Sequence, residues 1–431
     1  MRKTIFGCLG VAAVAFALQL TPANVQAAFF SACDPCNPCN EVDFCNPCDD
    51  ALNCDPCDAV CGPSLGKWFI NGHMEAGFFA NAHGHKSSYD QGTSRFGRGA
   101  DFMSGNSDAL MNTRLTGAQI NQVYLSMGKR VDGRHGLDIG GTVDFTWGSD
   151  AYMVQAAGLE RTAKDPTGWG TGDYFAAFAQ AYAEAEYGRW NFKAGKFFAP
   201  FGSSGYKSTD NFFYSWAPTA MISPHTGGGA YATYKVSDKL SVMGGWVMPE
   251  EIGHCEDNNF VLGGIVWTPS NRLNLRYAFA AGDECGFLTE AIGGTPGDRV
   301  FVHSLVTTSQ LSRRLKYVFD WTLLDAEHFN AYGLNNEFIY QANKKWAFGT
   351  RFGMLHTNTF AAQIFGGEDY GIESGFEMYT VAIGANWTPN KWLTVKPELR
   401  YDWTDRPVTR IFASGAQDHQ VSGGLSAVVK F

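Results

Sequence analysis

The sequence predicts an all-β chain: a transmembrane antiparallel β-barrel of about sixteen strands, preceded by a signal peptide and a cysteine-rich extension. Three observations carry this. Apolar side chains recur at alternate positions, as in the closing VSGGLSAVVKF, where Phe431, Val429, Ala427, Leu425 and Val421 interleave with Lys430, Ser426 and Ser422. A period of two belongs to a strand with unlike faces. Glycine reaches 50 of 431 residues and aromatics 14%, which suits many short β-segments better than helices. Short turns also alternate with long polar loops, the asymmetry of a bacterial outer-membrane barrel, whose strand number is even.

The first 27 residues form the signal peptide. Arg2 and Lys3 precede the apolar run TIFGCLGVAAVAFALQL, and Val25-Gln26-Ala27 offers a small-residue cleavage site. Beyond it no apolar stretch approaches the roughly 18–20 residues of a spanning helix. The net charge of -9 becomes more negative once Arg2 and Lys3 are removed. No basic footprint remains, so nucleic acid is excluded as a partner.

Residues 28–66 are expected to form a periplasmic extension. Within CDPCNPCNEVDFCNPCDDALNCDPCDAVC stand Cys33, Cys36, Cys39, Cys45, Cys48, Cys54, Cys57 and Cys61, with seven acids and no base. Repeated C-x-x-C would suggest zinc in the cytosol, but an exported chain meets an oxidising compartment, where disulfides are favoured. Eight cysteines allow on the order of a hundred connectivities. Pro35, Pro38, Pro47 and Pro56 hold the backbone extended, so cross-links to other envelope proteins and a self-closed knot both stay open. The segment has too few large apolar residues for a core of its own.

Residues 67–431 are expected to be the barrel. Turn-forming residues cluster at VDGRHG (131), YGRW (187), VSDKL (236), TPSNRL (268), LSRRL (311), ANKKW (342) and TPNKW (388). These seven turns join fourteen strands; a strand near Trp68 to Phe79 and the closing segment complete sixteen. The long connections then fall near 82 to 113, 148 to 173, 199 to 225, 249 to 259, 281 to 299, 325 to 329, 357 to 374 and 405 to 417.

Alternation assigns the faces. Trp346, Phe348, Phe352 and Met354 share one face, and Gly349, Arg351 and Gly353 the other. Leu273, Leu275, Tyr277 and Phe279 oppose Asn274 and Arg276; Tyr379, Val381, Ile383, Ala385 and Trp387 oppose Thr380, Gly384 and Asn386. A soluble sandwich would alternate too, so the tryptophans matter. Trp68, Trp190, Trp267, Trp346, Trp387 and Trp392 sit at the short-turn ends, and Trp147, Trp246, Trp321 and Trp403 toward the far ends. Two aromatic belts are what the two water interfaces of a bilayer select. The terminal Phe431 resembles the assembly signal read by the barrel insertion machinery, and outer-membrane lipid is the expected surround.

The stretch AGKFFAPFGSSGYKSTDNFFYSWAPTAMISPHTGGGAYATY sharpens this reading. Gly195-Lys196-Phe197, then Asn211-Phe212-Phe213-Tyr214-Ser215, then His225-Thr226-Gly227 resemble the motifs of the β-barrel porins of the OmpL-like family. That resemblance spans about 67 to 431, with the sharp motifs confined to some forty residues and the cysteine segment outside it. It implies an outer-membrane channel and, by analogy with trimeric porins, a homotrimer whose third long loop, here 199–225, folds inward. Tyr206, Lys207, Asp210 and Tyr214 on that loop would line the pore, facing Glu184, Lys193, Arg276, Arg351, Glu398 and Arg400 on the wall.

No enzymatic signature is present. GSSGYKST fails as a phosphate loop because Tyr206 separates Gly205 from Lys207. His73, His83 and His85 read as surface histidines rather than metal ligands, and no nucleophile stands beside a base; no cofactor is expected. Cys255 and Cys285, in neighbouring long loops, are expected to form a disulfide. The expected function is passive diffusion of small hydrophilic solutes through a polar lumen. Two rivals are a structural envelope protein cross-linked through its cysteines and an adhesin using its long loops. Solute and ion preference are not legible in the sequence.

Overall fold

The computed structural model describes residues 67–82, 117–161, 168–171, 174–249, 259–284, 298–327, 329–358, 375–405, 412 and 417–431. The signal peptide, the eight clustered cysteines, His83, His85, Cys255 and Cys285 lie outside the described residues.

The strands are β1 (Trp68–Asn81), β2 (Gly117–Lys129), β3 (Asp138–Gly148), β4 (Gly170–Thr171), β5 (Tyr174–Tyr187), β6 (Trp190–Phe198), β7 (Thr226–Ser237), β8 (Leu240–Pro249), β9 (Asn259–Ser270), β10 (Leu273–Glu284), β11 (Asp298–Gln310), β12 (Leu315–Ala326), β13 (Asn330–Gln341), β14 (Trp346–Thr357), β15 (Glu377–Asn390), β16 (Leu393–Thr404) and β17 (His419–Lys430). The two-residue β4 pairs only with the start of β5. The other sixteen form a closed antiparallel ring: each pairs with its neighbour in sequence, β3 pairs with β5 across β4, and β17 returns to β1. Closure leaves no strand edge facing lipid, where an unpaired backbone group would find no water.

The seven short turns fall where the turn chemistry put them. At the β5–β6 turn Gly188 takes φ +59°, a left-handed conformation that glycine adopts without penalty. At the β2–β3 turn the Asp132 carboxylate accepts from the Arg134 backbone N–H. The sixth connection falls where expected, between Ala326 of β12 and Asn330 of β13, and is shorter than the other seven on that side; Ala326 N–H donates to Phe329 O over 2.7 Å.

The chain end is also built in. Phe431 and Gly72 exchange both backbone hydrogen bonds, at 2.8 and 2.9 Å. A Cβ on Gly72 would lie 2.7 Å from the Phe431 ring, so glycine there makes room for the terminal aromatic.

The outer face carries the apolar set. Trp346, Phe348, Phe352, Val381, Ile383, Leu399, Tyr401 and Leu425 are exposed, whereas Arg351, Thr380, Arg400, Asp402 and Ser426 on the intervening positions are buried. Rings stack across neighbouring strands in both aromatic belts: Trp346 on Trp387 at one end, and Tyr379, Trp403 and Tyr401 in a row at the other.

The inner face departs from a uniformly polar lumen. Toward the long-loop end, Phe260, Leu262, Ala278, Ala280, Val300, Val302, Leu324, Ala331, Leu355 and Met378 point inward and are buried. They form one core with Phe201, Trp216, Ala220, Met221 and Ile222 of the loop that follows β6. This part of the wall thus exchanges contact with water for contact with a loop, and apolar side chains become the favourable choice there.

Candidate functional site

Residues 199–225 leave β6 and return to β7 inside the ring. Ala199 N–H donates to His225 O over 3.0 Å, closing the neck. Gly202 turns the chain at φ +68°. The segment carries Phe201, Tyr206, Phe212, Phe213, Tyr214 and Trp216, and such rings gain most by leaving water; the wall supplies the places for them.

The loop first meets β10–β12. Gly202 N–H donates to Ser304 Oγ (2.9 Å), and Gly202 O accepts from the Arg276 guanidinium. Asp320 accepts from Ser203 N–H (2.8 Å), Ser203 Oγ (2.9 Å) and Thr219 Oγ1 (2.7 Å), so one carboxylate ties the outgoing and returning arms together.

On the β2–β3 wall the hold is a relay through Gln122. Its amide NH₂ donates to Tyr206 O (2.7 Å) and to Asp150 (3.0 Å), while its oxygen accepts from Ser208 N–H (3.0 Å) and His73 Nε2 (2.9 Å). Tyr206 hydroxyl pairs with Thr146 Oγ1 at 2.9 Å. Lys207 stands 3.7 Å from Asp144 and 4.9 Å from the Tyr124 ring. Asp144 is further bonded by Tyr124, Ser126 and Gln180.

The β14–β16 wall holds the loop by charge. Lys396, Glu398 and Arg400 are alternate residues of β16 and so share its inward face. Lys396 Nζ donates to Ser208 O (2.6 Å) and Asn211 O (2.7 Å). Glu398 accepts from Ser215 N–H (2.9 Å) and from its hydroxyl. Arg400 donates to Ser215 Oγ (3.1 Å), Trp216 O (2.9 Å) and Asp402 (2.8 Å). Arg351 donates to Ser215 O (2.9 Å) and pairs with Glu337 at 2.9 Å. Its guanidinium also lies over the Phe213 ring, 4.2 Å from the centroid.

Between these charges the loop rings rest on inward glycines. A Cβ on Gly349 would come within 2.3 Å of Phe212, and one on Gly384 within 3.2 Å of Phe213. At Gly77 it would meet Tyr214 at 2.4 Å, at Gly424 the same ring at 2.6 Å, and at Gly353 it would meet Pro218 at 2.8 Å. At Gly77, Gly349, Gly353 and Gly424 any side chain would force the loop ring to move, and at Gly384 the fit is tight.

The preceding loop turns inward as well. Its 3₁₀ turn Asp150–Val154 is largely buried, and Lys196 Nζ donates to Val154 O (2.6 Å) and Glu160 (2.8 Å). Burial, with Glu75 nearby, pushes the Asp150 carboxyl up to about 7. Burial alone brings His225, which packs on Trp216, down to about 4.

All ten predicted site residues fall inside the ring or on this loop, but in two classes. Tyr206, Tyr214, Arg351 and Arg400 are buried where loop meets wall, and Arg276 and Glu398 hold loop backbone. Asp210 is exposed, and Lys193 faces Glu184 at 3.6 Å while lying 4.7 Å from the Tyr182 ring. Sequence reasoning missed Lys396, Gln122, Asp144 and Asp320. Lys396 was within reach, two positions before Glu398; Gln122 carries no charge and gave no signal.

The family described as "Putative beta-barrel porin-2, OmpL-like" matches residues 70–431. Among curated proteins none matches in sequence. A solved structure of Salmonella typhi OmpF in complex with daunomycin is similar at 10% identity, TM-score 0.55, covering 84% of this chain and 97% of that one. An anion-selective porin from Comamonas acidovorans matches at 10% identity, TM-score 0.52, over 84% and 99%. Vibrio cholerae OmpT in a trimer form matches at 11%, TM-score 0.50, over 84% and 99%. At such identities the likeness concerns the barrel fold and carries nothing about solute.

Proposed function

The chain belongs to the OmpL-like β-barrel porin-2 family and is an outer-membrane channel for small solutes, and from that premise we propose that residues 199–225 set its bore. The observation that carries this is the loop's double anchorage, to β2–β3 through Tyr206 and Ser208 and, half-way round the ring, to β11 and β12 through Gly202 and Ser203. A loop tied to opposite parts of the ring stands across the lumen. Diffusion past it is passive: a wet path removes the desolvation cost that lipid imposes on polar molecules.

The charges of wall and loop occur as neighbours of opposite sign, Lys193 with Glu184, Lys207 with Asp144, Arg351 with Glu337 and Arg400 with Asp402. Such pairing supports weak discrimination between anions and cations. We further place the N-terminal extension in the periplasm, on the side of the short turns. Association as a homotrimer, as in the trimer form of the Vibrio cholerae protein, is part of the same proposal, as is cross-linking of the extension to other envelope proteins.

The test is single-channel recording in planar bilayers. Discrete steps with a reversal potential near zero are expected, with larger steps once residues 203–215 are deleted. Absence of steps, or steps unchanged by the deletion, would overturn the assignment of the loop.

A further inference from the structure

The two ends of the barrel differ in charge. Each of the seven short turns exposes at least one lysine or arginine, with the pairs Arg313–Arg314 and Lys344–Lys345 the densest. Two acids lie in those turns, and each already has a partner: Asp132 with Arg134 at 2.7 Å and Asp238 with Lys235 at 2.9 Å. At the foot of β3, Asp138 is shared by Lys67 and Lys129. The rim therefore presents a ring of exposed cations against few acids, of which Asp132, Asp138 and Asp238 are already engaged and Glu186 is partly buried beside Gly133 at the foot of β5, although the chain as a whole carries -9.

The chain has its own counter-charge close by. Between Cys33 and Cys61 stand Asp34, Glu41, Asp43, Asp49, Asp50, Asp55 and Asp58, with no lysine or arginine. The barrel begins at Lys67, whose carbonyl accepts from Arg130 N–H at 2.9 Å, which places it on this same rim. The residues between Cys61 and Lys67 can span at most about 20 Å, so the acidic stretch must start near the basic ring. A short tether raises its local concentration to roughly the millimolar range.

We propose that the acidic cysteine segment, residues 33–61, docks on the basic short-turn rim of its own barrel, beside the pore mouth. Each exposed ion pair is weak alone; the docking comes from several acting together under a short tether. Attraction of this kind reaches about 8 Å at physiological salt and about 3 Å at 1 M, so the contact is salt-sensitive. It rests on the barrel and its rim, not on conduction, and its test uses no electrical readout.

Zero-length carbodiimide coupling of carboxylates to lysine amines reads the contact directly on the full exported chain in detergent, followed by mass spectrometry. At low salt, amide links are expected from the acids of 33–61 to Lys239, Lys344, Lys345 and Lys391, falling about tenfold at 1 M salt, where screening is nearly complete. The variant R313Q/R314Q/K344Q/K345Q should lower the yield at Lys239 and Lys391, because the ring loses four of its charges while those two acceptors stay. Links absent at low salt, or equally abundant at both salts, overturn the proposal. Mixing chains of two isotopic compositions adds a further control: links joining only unlike chains would assign the rim to a second copy instead.

Discussion

Two adjoining stretches of the wall hold the same loop by different means. On β14–β17 and β1 the loop rings lie on glycines, and Arg351, Lys396, Glu398 and Arg400 bracket its backbone. On β2 and β3 an uncharged amide, Gln122, shares its hydrogen bonds among Tyr206, Ser208 and Asp150. The first side combines shape with buried charge, neither of which water can replace. The second has one looser ion pair, Lys207 with Asp144 at 3.7 Å, and otherwise relies on hydrogen bonds of an uncharged amide, which water can substitute at small cost. Loss of an anchor should therefore matter more on the β16 side.

The largest effect is expected at Arg400. It is almost fully buried, and Arg400→Leu would leave Asp402 without its paired counter-charge. Removing one partner of a buried ion pair typically costs about 3–5 kcal/mol. Guanidinium unfolding in detergent should report a destabilisation of that order, with noisier and larger channel steps. A change smaller than that of Gln122→Ala would reverse the ranking of the two sides.

Gly424→Val comes next. Its Cβ would meet Tyr214 at 2.6 Å and Phe79 at 2.8 Å, and overpacking of this kind costs about 1–3 kcal/mol. The loop should shift toward the lumen axis and alter the conductance. Adding Tyr214→Leu should recover part of the loss; an additive double variant would mean the two residues do not touch in the membrane.

The glycines also mark where sequence reading stops. Gly349, Gly353 and Gly384 were assigned inward by alternation alone, and so they are. Their purpose depends on Phe212, Pro218 and Phe213, more than a hundred positions earlier in the chain, and no local pattern encodes that meeting. The same holds for Arg351 and Arg400: parity told which way they point, but only the folded loop tells that they grip Ser215 and Trp216. The short turns were legible because turn chemistry is local. The apolar inner wall was not, because FVLGGIVW in β9 is apolar on both faces and alternation cannot separate lipid from a packed loop.

Gln122→Ala sharpens the other side. It removes the donor to Tyr206 O and the acceptor for Ser208 N–H, and a buried group left without a partner costs about 1–3 kcal/mol. Solvent entering the gap should keep the loss near the lower end. Channel steps should change modestly, with the loop still held by Lys396 and Arg400.

The most local effect is a pH dependence on the Gln122 side. Asp150 accepts from Asn121 at 3.2 Å and from Gln122 at 3.0 Å, yet burial and Glu75 raise its carboxyl from 3.8 to about 7. A carboxyl with a raised native value binds its proton more tightly when packed than when released. Its contribution to holding the Asp150–Val154 turn is therefore present below about pH 4, fades as pH rises to about 7, and stays constant above. Amide exchange at Gln155, corrected for its intrinsic rate, should accelerate between pH 4 and pH 7. In Asp150→Asn that dependence should vanish; if it persists unchanged, another group in the lumen titrates instead.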